Sequence, residues 1–168
     1  MSTIRVNRFE NTSGVGFGSC VQTANFQTTA VQTGTTSIPT DDTVPTSTEG
    51  FEIFTLAFTP KSATNKLKIT VNATASSSIA GSYNIILTLF QDSGTSAIAT
   101  AIAVGAGSTY MTPVNLIHYM NAGTTSSTTF KVRIGATGAG TTTVNGQSSA
   151  RLFGGTLNSS ITIEEYQV

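Results

Sequence analysis

The chain has 168 residues, with eight Lys and Arg, eight Asp and Glu and a formal net charge of zero. Charged residues make up 10% of the chain, against about 25% in a typical domain. This composition argues against binding nucleic acid through a basic face and against intrinsic disorder. One domain of this length buries a core without disulfides, metals or cofactors, and none of these is expected.

The first residues differ from the rest of the chain. The stretch "TIRVNRF" alternates, and "ENTSGVGFGS" then breaks into Gly and Ser. We therefore divide the chain into an N-terminal attachment segment with a hinge (1–18) and a β domain (19–168). The short strand around Ile4, Arg5, Val6, Arg8 and Phe9 either adds to another chain or lies in its groove, or it pairs with its own sheet. The start has no apolar run typical of a signal peptide, and no segment reaches the length of a membrane span, so we expect cytoplasmic synthesis and no membrane partner.

Apolar and polar residues alternate through most of the β domain, which predicts β-strands. The predicted strands are 51–58, 66–75, 83–91, 97–104, 113–122, 128–136, 150–155 and 159–168. The pair Asn145–Gly146 predicts a hairpin turn. No segment has a helical period with caps, so the pattern predicts an all-β, antiparallel β-sandwich of jelly-roll type.

One window, residues 37–60, holds half of the eight acidic residues, namely Asp41, Asp42, Glu49 and Glu52. Asp41 and Asp42 are adjacent and would point to opposite sides of an extended segment, and Pro39 and Pro45 flank them. Asp in such a place typically accepts hydrogen bonds from nearby backbone amides in a turn. We expect a turn, and keep a calcium site as an alternative.

The chain has one histidine and one cysteine. His118 alternates with Leu116 and Met120 and is expected to be partly buried, although a ring of His118 at an oligomer interface stays open. Cys20 is the one cysteine and is expected to be a small buried apolar residue. No nucleophile stands in an elbow motif, so we expect no catalytic residues and no enzyme activity.

The sequence also resembles a group of small virion proteins of tailed bacteriophages, often described as tail fibre-like. The phrases that carry the resemblance cover nearly the whole chain: "TIRVNRFENTSG", "IPTDDTVPTSTEGFEIFTLAFTPKSATNKLKI", "LFQDS", "HYMNAGTTSSTTFKVRIGA" and "ARLFGGTLNSSITIEEY". The resemblance implies a β-rich, trimeric protein of the virion surface, made in the host cytoplasm. Residues 1–18 also resemble the attachment ends of phage fibres and decoration proteins. Ile4, Arg5, Val6, Arg8 and Phe9 would then anchor the chain to the virion.

Two functions follow from this resemblance. As a capsid cement or decoration protein, the homotrimer would contact the major capsid protein or other virion proteins and bridge capsid subunits. As a short tail fibre or fibre tip, it would bind a host surface receptor or glycan. The absence of Trp and of a long fibrous region weakens the second hypothesis, and the sequence favours the first.

Overall fold

The computed structural model describes residues 18–106 and 110–168. Residues Ile4, Arg5, Val6, Arg8 and Phe9, and with them the predicted attachment strand, lie outside these ranges. The described chain contains twelve β-strands and one 3-10 turn, Phe153–Gly155. The strands are β1 Cys20–Thr28, β2 Gln32–Gly34, β3 Phe51–Phe58, β4 Lys66–Ser77, β5 Ser82–Gln91, β6 Ala99–Ala106, β7 Thr112–Asn121, β8 Thr128–Ala136, β9 Thr142–Val144, β10 Gly146–Gln147, β11 Ala150–Arg151 and β12 Ser159–Tyr166.

The long strands form two antiparallel sheets. Sheet 1 has the order β1-β12-β4-β7, and the short strands β9 and β2 continue it beside the end of β4. Sheet 2 has the order β3-β8-β5-β6. Successive long strands change sheet at most steps, and β1 pairs with β12, which is the strand order of a jelly roll. The predicted fold class is therefore confirmed.

The core lies between the two sheets. In β4, Leu67, Ile69 and Val71 are fully buried, as their alternation predicts. They pack in one cluster with Ile85, Leu87, Leu89, Phe130, Val132, Ile134, Ile161 and Ile163. Each such side chain contributes about 1.5–3 kcal/mol by leaving water, so these strands supply most of the hydrophobic stabilisation.

The predicted Asn145–Gly146 hairpin is wrong. These residues join β9 to β10 without pairing the two strands, since β9 pairs with β4 and β2. The tight turn is instead Ser148–Ser149, both with positive φ, between β10 and β11. Asn145 is buried, and its side-chain amide donates to the carbonyl oxygens of Thr28 (3.0 Å) and Ala30 (3.2 Å). Its side chain thus anchors the end of β1.

Candidate functional site

Residues 37–50 of the acidic window belong to a segment that crosses the outer face of sheet 2, and most of the rest of the window is β3. We call residues 36–50 the strap. The backbone amide of Ile38 donates to the carbonyl oxygen of Ala136 at 3.0 Å. At the other end, Arg133 donates from Nε to the carbonyl oxygen of Glu49 (2.8 Å) and from Nη2 to that of Gly50 (2.7 Å). Both ends of the strap are therefore bound to β8 by hydrogen bonds.

The strap buries the face that it crosses. In β5, Ile86, Thr88 and Phe90 alternate with the core residues and face outward, yet they are 2%, 0% and 2% exposed. Ile38 of the strap is itself fully buried. Backbone pairing between residues 45–47 and 95–97 extends this cover towards β6. The outer face of sheet 2 is thus a second, smaller apolar layer closed by the chain itself.

Asp41 and Glu49 make local hydrogen bonds, and those of Asp41 agree with the turn prediction. Asp41 accepts from the hydroxyl of Thr43 and from its backbone amide (2.9 Å). These hydrogen bonds, the hydroxyl first, lower the pKa of the Asp41 carboxyl. Glu49 accepts from the amide of Thr46 at 2.6 Å. Within residues 18–106 and 110–168, no three His, Cys, Asp or Glu side chains come together as a metal site would require.

Sequence reasoning missed Glu165, which is a fully buried carboxylate in β12. Its Oε1 accepts from the amides of Lys61 (2.9 Å) and Ser62 (3.1 Å) and from the side-chain amide of Asn65 (2.7 Å). Burial acts to raise the pKa of the Glu165 carboxyl, but these hydrogen bonds outweigh burial and the pKa is lowered. Ile161, Ile163 and Glu165 share one face of β12, so an acid on an apolar face was the available sequence signal.

The outer face of sheet 1 differs from that of sheet 2 because its side chains stay accessible. Lys68 and Glu164 form an ion pair at 2.8 Å, and the hydroxyl of Tyr166 donates to Glu164 at 3.0 Å. The hydrogen bond with Glu164 raises the pKa of Lys68, and the hydrogen bond with Lys68 lowers the pKa of Glu164. On the neighbouring strand β7, Ile117 and Tyr119 are 59% and 65% exposed.

The single histidine and cysteine lie apart from each other. His118 is partly buried on the same face of β7 as Leu116 and Met120, as predicted, and burial lowers its pKa. It is therefore a neutral imidazole at neutral pH. Cys20 is exposed, so the expectation that it is buried is wrong. It begins β1, which is an edge strand of sheet 1, and such a position leaves its thiol in solvent.

A polar groove lies on the outer face of sheet 2, at the margin of the strap. Its lining includes Glu52 on β3, Lys131 and Arg133 on β8 and Asp92 in the turn after β5, and its volume is about 210 Å³. Charges of both signs and backbone groups there can form hydrogen bonds with a polar ligand.

Across the described ranges, no helix is long and apolar enough to span a membrane.

No protein-family model matches the chain, and no curated protein matches it by sequence. Solved structures similar to it include an Eiger TNF from S. frugiperda (TM-score 0.48, 9% identity), which covers 85% of this chain and 90% of that one. The infectious bursal disease virus VP2 subviral particle is also similar (TM-score 0.38, 14% identity, 97% of this chain). A third is the infectious bursal disease virus Gx strain (TM-score 0.37, 12% identity, 98% of this chain).

This chain spans 43% and 42% of the two viral chains. At such low TM-scores and identities, these likenesses carry no information on function. The jelly-roll assignment rests on the strand order of the chain itself.

Proposed function

We propose that this chain is a structural protein of a tailed-phage virion, and that it acts as a trimeric decoration protein that bridges and stabilises capsid subunits. The observation that carries the proposal is the jelly-roll domain with one outer face closed by its own strap and the other left accessible. The accessible face has exposed apolar side chains and few charges, which is typical of a surface that contacts protein. The likeness of its sequence phrases to phage virion proteins supports the same function.

Such a protein acts by mass action and needs no catalytic residue. A protein that binds the assembled shell, and not the dissociated subunits, stabilises the shell by about 2.7 kcal/mol per site at 100 times its dissociation constant. In this proposal residues 1–18 attach the domain to the major capsid protein, and Ile4, Val6 and Phe9 provide apolar contacts. The protein is synthesised in the host cytoplasm and ends on the virion surface, without nucleic acid or membrane partners.

The copy number of the chain in purified virions tests this function. Quantitative mass spectrometry against the major capsid protein should give a ratio of about one to one, because trimers that tile an icosahedral shell have a fixed stoichiometry. A ratio of a few per cent would place the chain at the tail or at one vertex and would contradict the decoration function.

Deletion of residues 1–12 tests the attachment segment separately. The truncated protein should keep its circular dichroism spectrum and melting temperature, because the described sheets lie within residues 20–166. It should lose binding to capsids in a cosedimentation assay. Full binding by the truncated protein would contradict the anchoring role of Ile4, Arg5, Val6, Arg8 and Phe9.

The polar groove favours a second candidate function, a short tail fibre or fibre tip that binds a host surface glycan. Lys131 and Glu52, with Arg133 and Asp92 beside them, line the groove, and charged side chains of both signs can donate and accept hydrogen bonds with saccharide hydroxyls. A glycan array with the intact protein and a Lys131→Ala variant would detect it. A signal that the variant loses, together with a low copy number, would support the fibre function.

A further inference from the structure

Left-handed backbone is concentrated in one short segment of the chain, residues 145–155. Across the described ranges, five residues other than glycine have positive φ. Four of these five lie in the segment: Asn145, Ser148, Ser149 and Phe153. Gly154 and Gly155 follow directly, with φ of 64° and 88°. Backbone strain of this kind clusters at sites where a protein binds or switches.

Of these four residues, Phe153 has no structural reason for its conformation. Asn takes positive φ readily, and the Asn145 amide binds the end of β1. Ser148 and Ser149 form the two-residue turn between β10 and β11, in which both positions require positive φ. At Phe153 the φ is 49°, which is rare for a bulky residue. Its ring is 71% exposed, so burial within the described domain does not offset the strain.

The turn that carries the Phe153 ring is held by hydrogen bonds. The amide and the hydroxyl of Thr156 both donate to the Phe153 carbonyl oxygen, at 3.2 Å and 2.9 Å. The Gly155 amide donates to the carbonyl oxygen of Leu152 at 2.9 Å. The Arg151 side chain lies against the same turn, where a Cβ added at Gly155 would be 3.0 Å from its Cδ. The ring is therefore presented on a preorganised turn, which lowers the entropy cost of binding.

The two flanks of this turn are bound to the sandwich. On one side β10 pairs with β11, and the carbonyl oxygen of Gly146 in β10 accepts from the hydroxyl of Ser76 at 3.0 Å. On the other side β12 begins at Ser159, which is fully buried. The Ser159 hydroxyl donates to the side-chain oxygen of Asn145 at 2.7 Å. Residues 152–158, which we call the tip loop, thus connect two fixed strands.

The tip loop and the N-terminal segment join the sandwich at opposite ends. Residues 1–18 lead into β1 at Cys20, which pairs with Tyr166 at the end of β12. The tip loop leads into β12 at Ser159, which pairs with Thr28 at the end of β1. The eight steps from Cys20 to Thr28, of about 3.3 Å each, separate the two ends by about 26 Å.

The side chains of the tip loop suit a pocket on another protein. Aromatic and Arg side chains dominate the binding energy of many protein contacts. The Phe153 ring has no hydrogen-bonding group, so its complement is an apolar pocket. Arg151 is also exposed, and its guanidinium can donate to a carboxylate or carbonyl oxygen at the rim of such a pocket.

A saccharide is a poorer complement of the same site. Saccharide recognition requires polar groups that converge on the hydroxyls of the ligand. The polar side chains of the tip loop are Thr156 and Asn158, and both donate to the loop's own backbone. Thr156 binds the carbonyl oxygen of Phe153 at 2.9 Å, and Asn158 binds that of Thr156 at 3.5 Å. The loop therefore favours an apolar protein pocket.

We propose that Phe153, with Arg151 beside it, is an aromatic anchor that inserts into an apolar pocket of a capsid subunit. This inference rests on the proposed function and deepens it by naming the second contact of the bridge. A protein that bridges two subunits needs two separate contacts. Residues 1–18 bind one capsid subunit, and the tip loop, about 26 Å away along β1, binds the neighbouring one.

Replacing Phe153 with Asn in the full chain tests the anchor. Asn accepts positive φ, so the variant keeps the turn and loses the ring. The matched control is Val44→Asn, which removes another exposed apolar side chain, on the strap. Cosedimentation with purified capsids that lack this chain, over a concentration series, gives the dissociation constants. Phe153→Asn should raise the dissociation constant at least tenfold, and Val44→Asn should leave it unchanged.

Two more measurements distinguish an anchor from a structural residue. The melting temperature of free Phe153→Asn should equal or exceed that of the wild type, because strain is relieved and no buried ring is lost. A lower melting temperature would show that the ring stabilises its own domain, and would overturn the proposal. At saturating concentrations, the wild type should raise the temperature at which capsids dissociate, and Phe153→Asn should not, because one contact cannot bridge two subunits. Equal stabilisation of the capsids would also overturn the proposal.

Failure of this inference is distinguishable from failure of the decoration function. If the wild type is present at about one copy per major capsid protein and Phe153→Asn binds capsids equally well, the anchor is wrong and the decoration function stands. If that variant then loses a glycan-array signal that the wild type gives, the ring binds a saccharide instead. A chain present at a few per cent in virions, and absent from virions made with Phe153→Asn, would contradict the decoration function and support Phe153 as an anchor on another virion protein.

Discussion

Replacing Glu165 with Gln tests whether a buried carboxylate holds the connection between β3 and β4. The carboxylate receives hydrogen bonds from the amides of Lys61 and Ser62 and from the side chain of Asn65. The amide of Lys61 also donates to Oε2 at 3.0 Å, so both carboxylate oxygens accept and the NH₂ group of a glutamine would face a donor at either position. Hydrogen bonds to a charged group contribute about 1.5–3 kcal/mol each, and part of this remains with the amide oxygen.

We therefore expect Glu165→Gln to lower the free energy of unfolding by about 3 kcal/mol. For a domain of this size, that corresponds to a fall in melting temperature of about 6–12 °C. The matched control is Glu52→Gln, an exposed acid on β3, for which a change below about 0.5 kcal/mol is expected. Urea denaturation at fixed protein concentration measures both. Equal effects of the two substitutions would refute the role assigned to Glu165.

The same carboxylate predicts a pH dependence. The folded-state pKa of Glu165 is lowered from its ordinary value of 4.5. The unfolded chain therefore binds the proton more readily, and the stability from this group is present above pH 4.5 and is lost as pH falls through the lower folded-state pKa. In denaturation series from pH 7 downwards, the difference in free energy of unfolding between the wild type and Glu165→Gln should become smaller below pH 4.5. A difference that stays constant with pH would contradict the role of the hydrogen-bonded carboxylate.

Three further predictions concern the strap. Ile38→Ala should destabilise the protein by about 2–4 kcal/mol and Ile38→Val by about 1 kcal/mol, measured by urea denaturation; equal effects would mean that the side chain is not packed. Gly50→Ala should lower the free energy of unfolding by about 2 kcal/mol more than Gly81→Ala does, measured by calorimetry. Both glycines have positive φ, but an added Cβ contacts other atoms only at Gly50, the nearest at 2.7 Å. Replacing Asp41 and Asp42 with Asn should lower stability slightly and leave the melting temperature insensitive to calcium, and a calcium-dependent shift lost in that variant would contradict the turn.

The alternation of apolar and polar residues is sufficient to predict the buried strands. Residues 51–58 and 128–136 match β3 and β8 in full, and 66–75 covers most of β4. These strands have one face in the core, so every second residue must be apolar. The pattern does not predict β1 because it is an edge strand, and its sequence "CVQTANFQT" is polar on its solvent side and only partly apolar on the other.

The surfaces could be predicted less well than the core. The turn prediction for the acidic window is correct, but the window's function as a cover depends on Arg133, which is 84 residues from the carbonyl of Glu49 that it binds. A single apolar residue of the strap, Ile38, faces the sheet, and one residue cannot form a periodic sequence pattern that would reveal the contact. Likewise, the sequence around Asn145 is typical of a hairpin, whereas in the structure its amide is bound to β1. Local pattern does not encode such long-range contacts.

The pairing of β1 with β12 has a consequence for the order of folding. Asn25 in β1 donates to the carbonyl of Ile161, 136 residues further along the chain, and β12 lies between β1 and β4 in sheet 1. Sheet 2 needs no residue beyond Ala136, so it can assemble on the ribosome while sheet 1 still lacks an interior strand. Contacts so distant in sequence make folding slow. A nascent chain that ends before Ser159 leaves the backbone groups of β4 unpaired along the edge that β12 binds, and an unpaired strand edge can pair with another chain and aggregate.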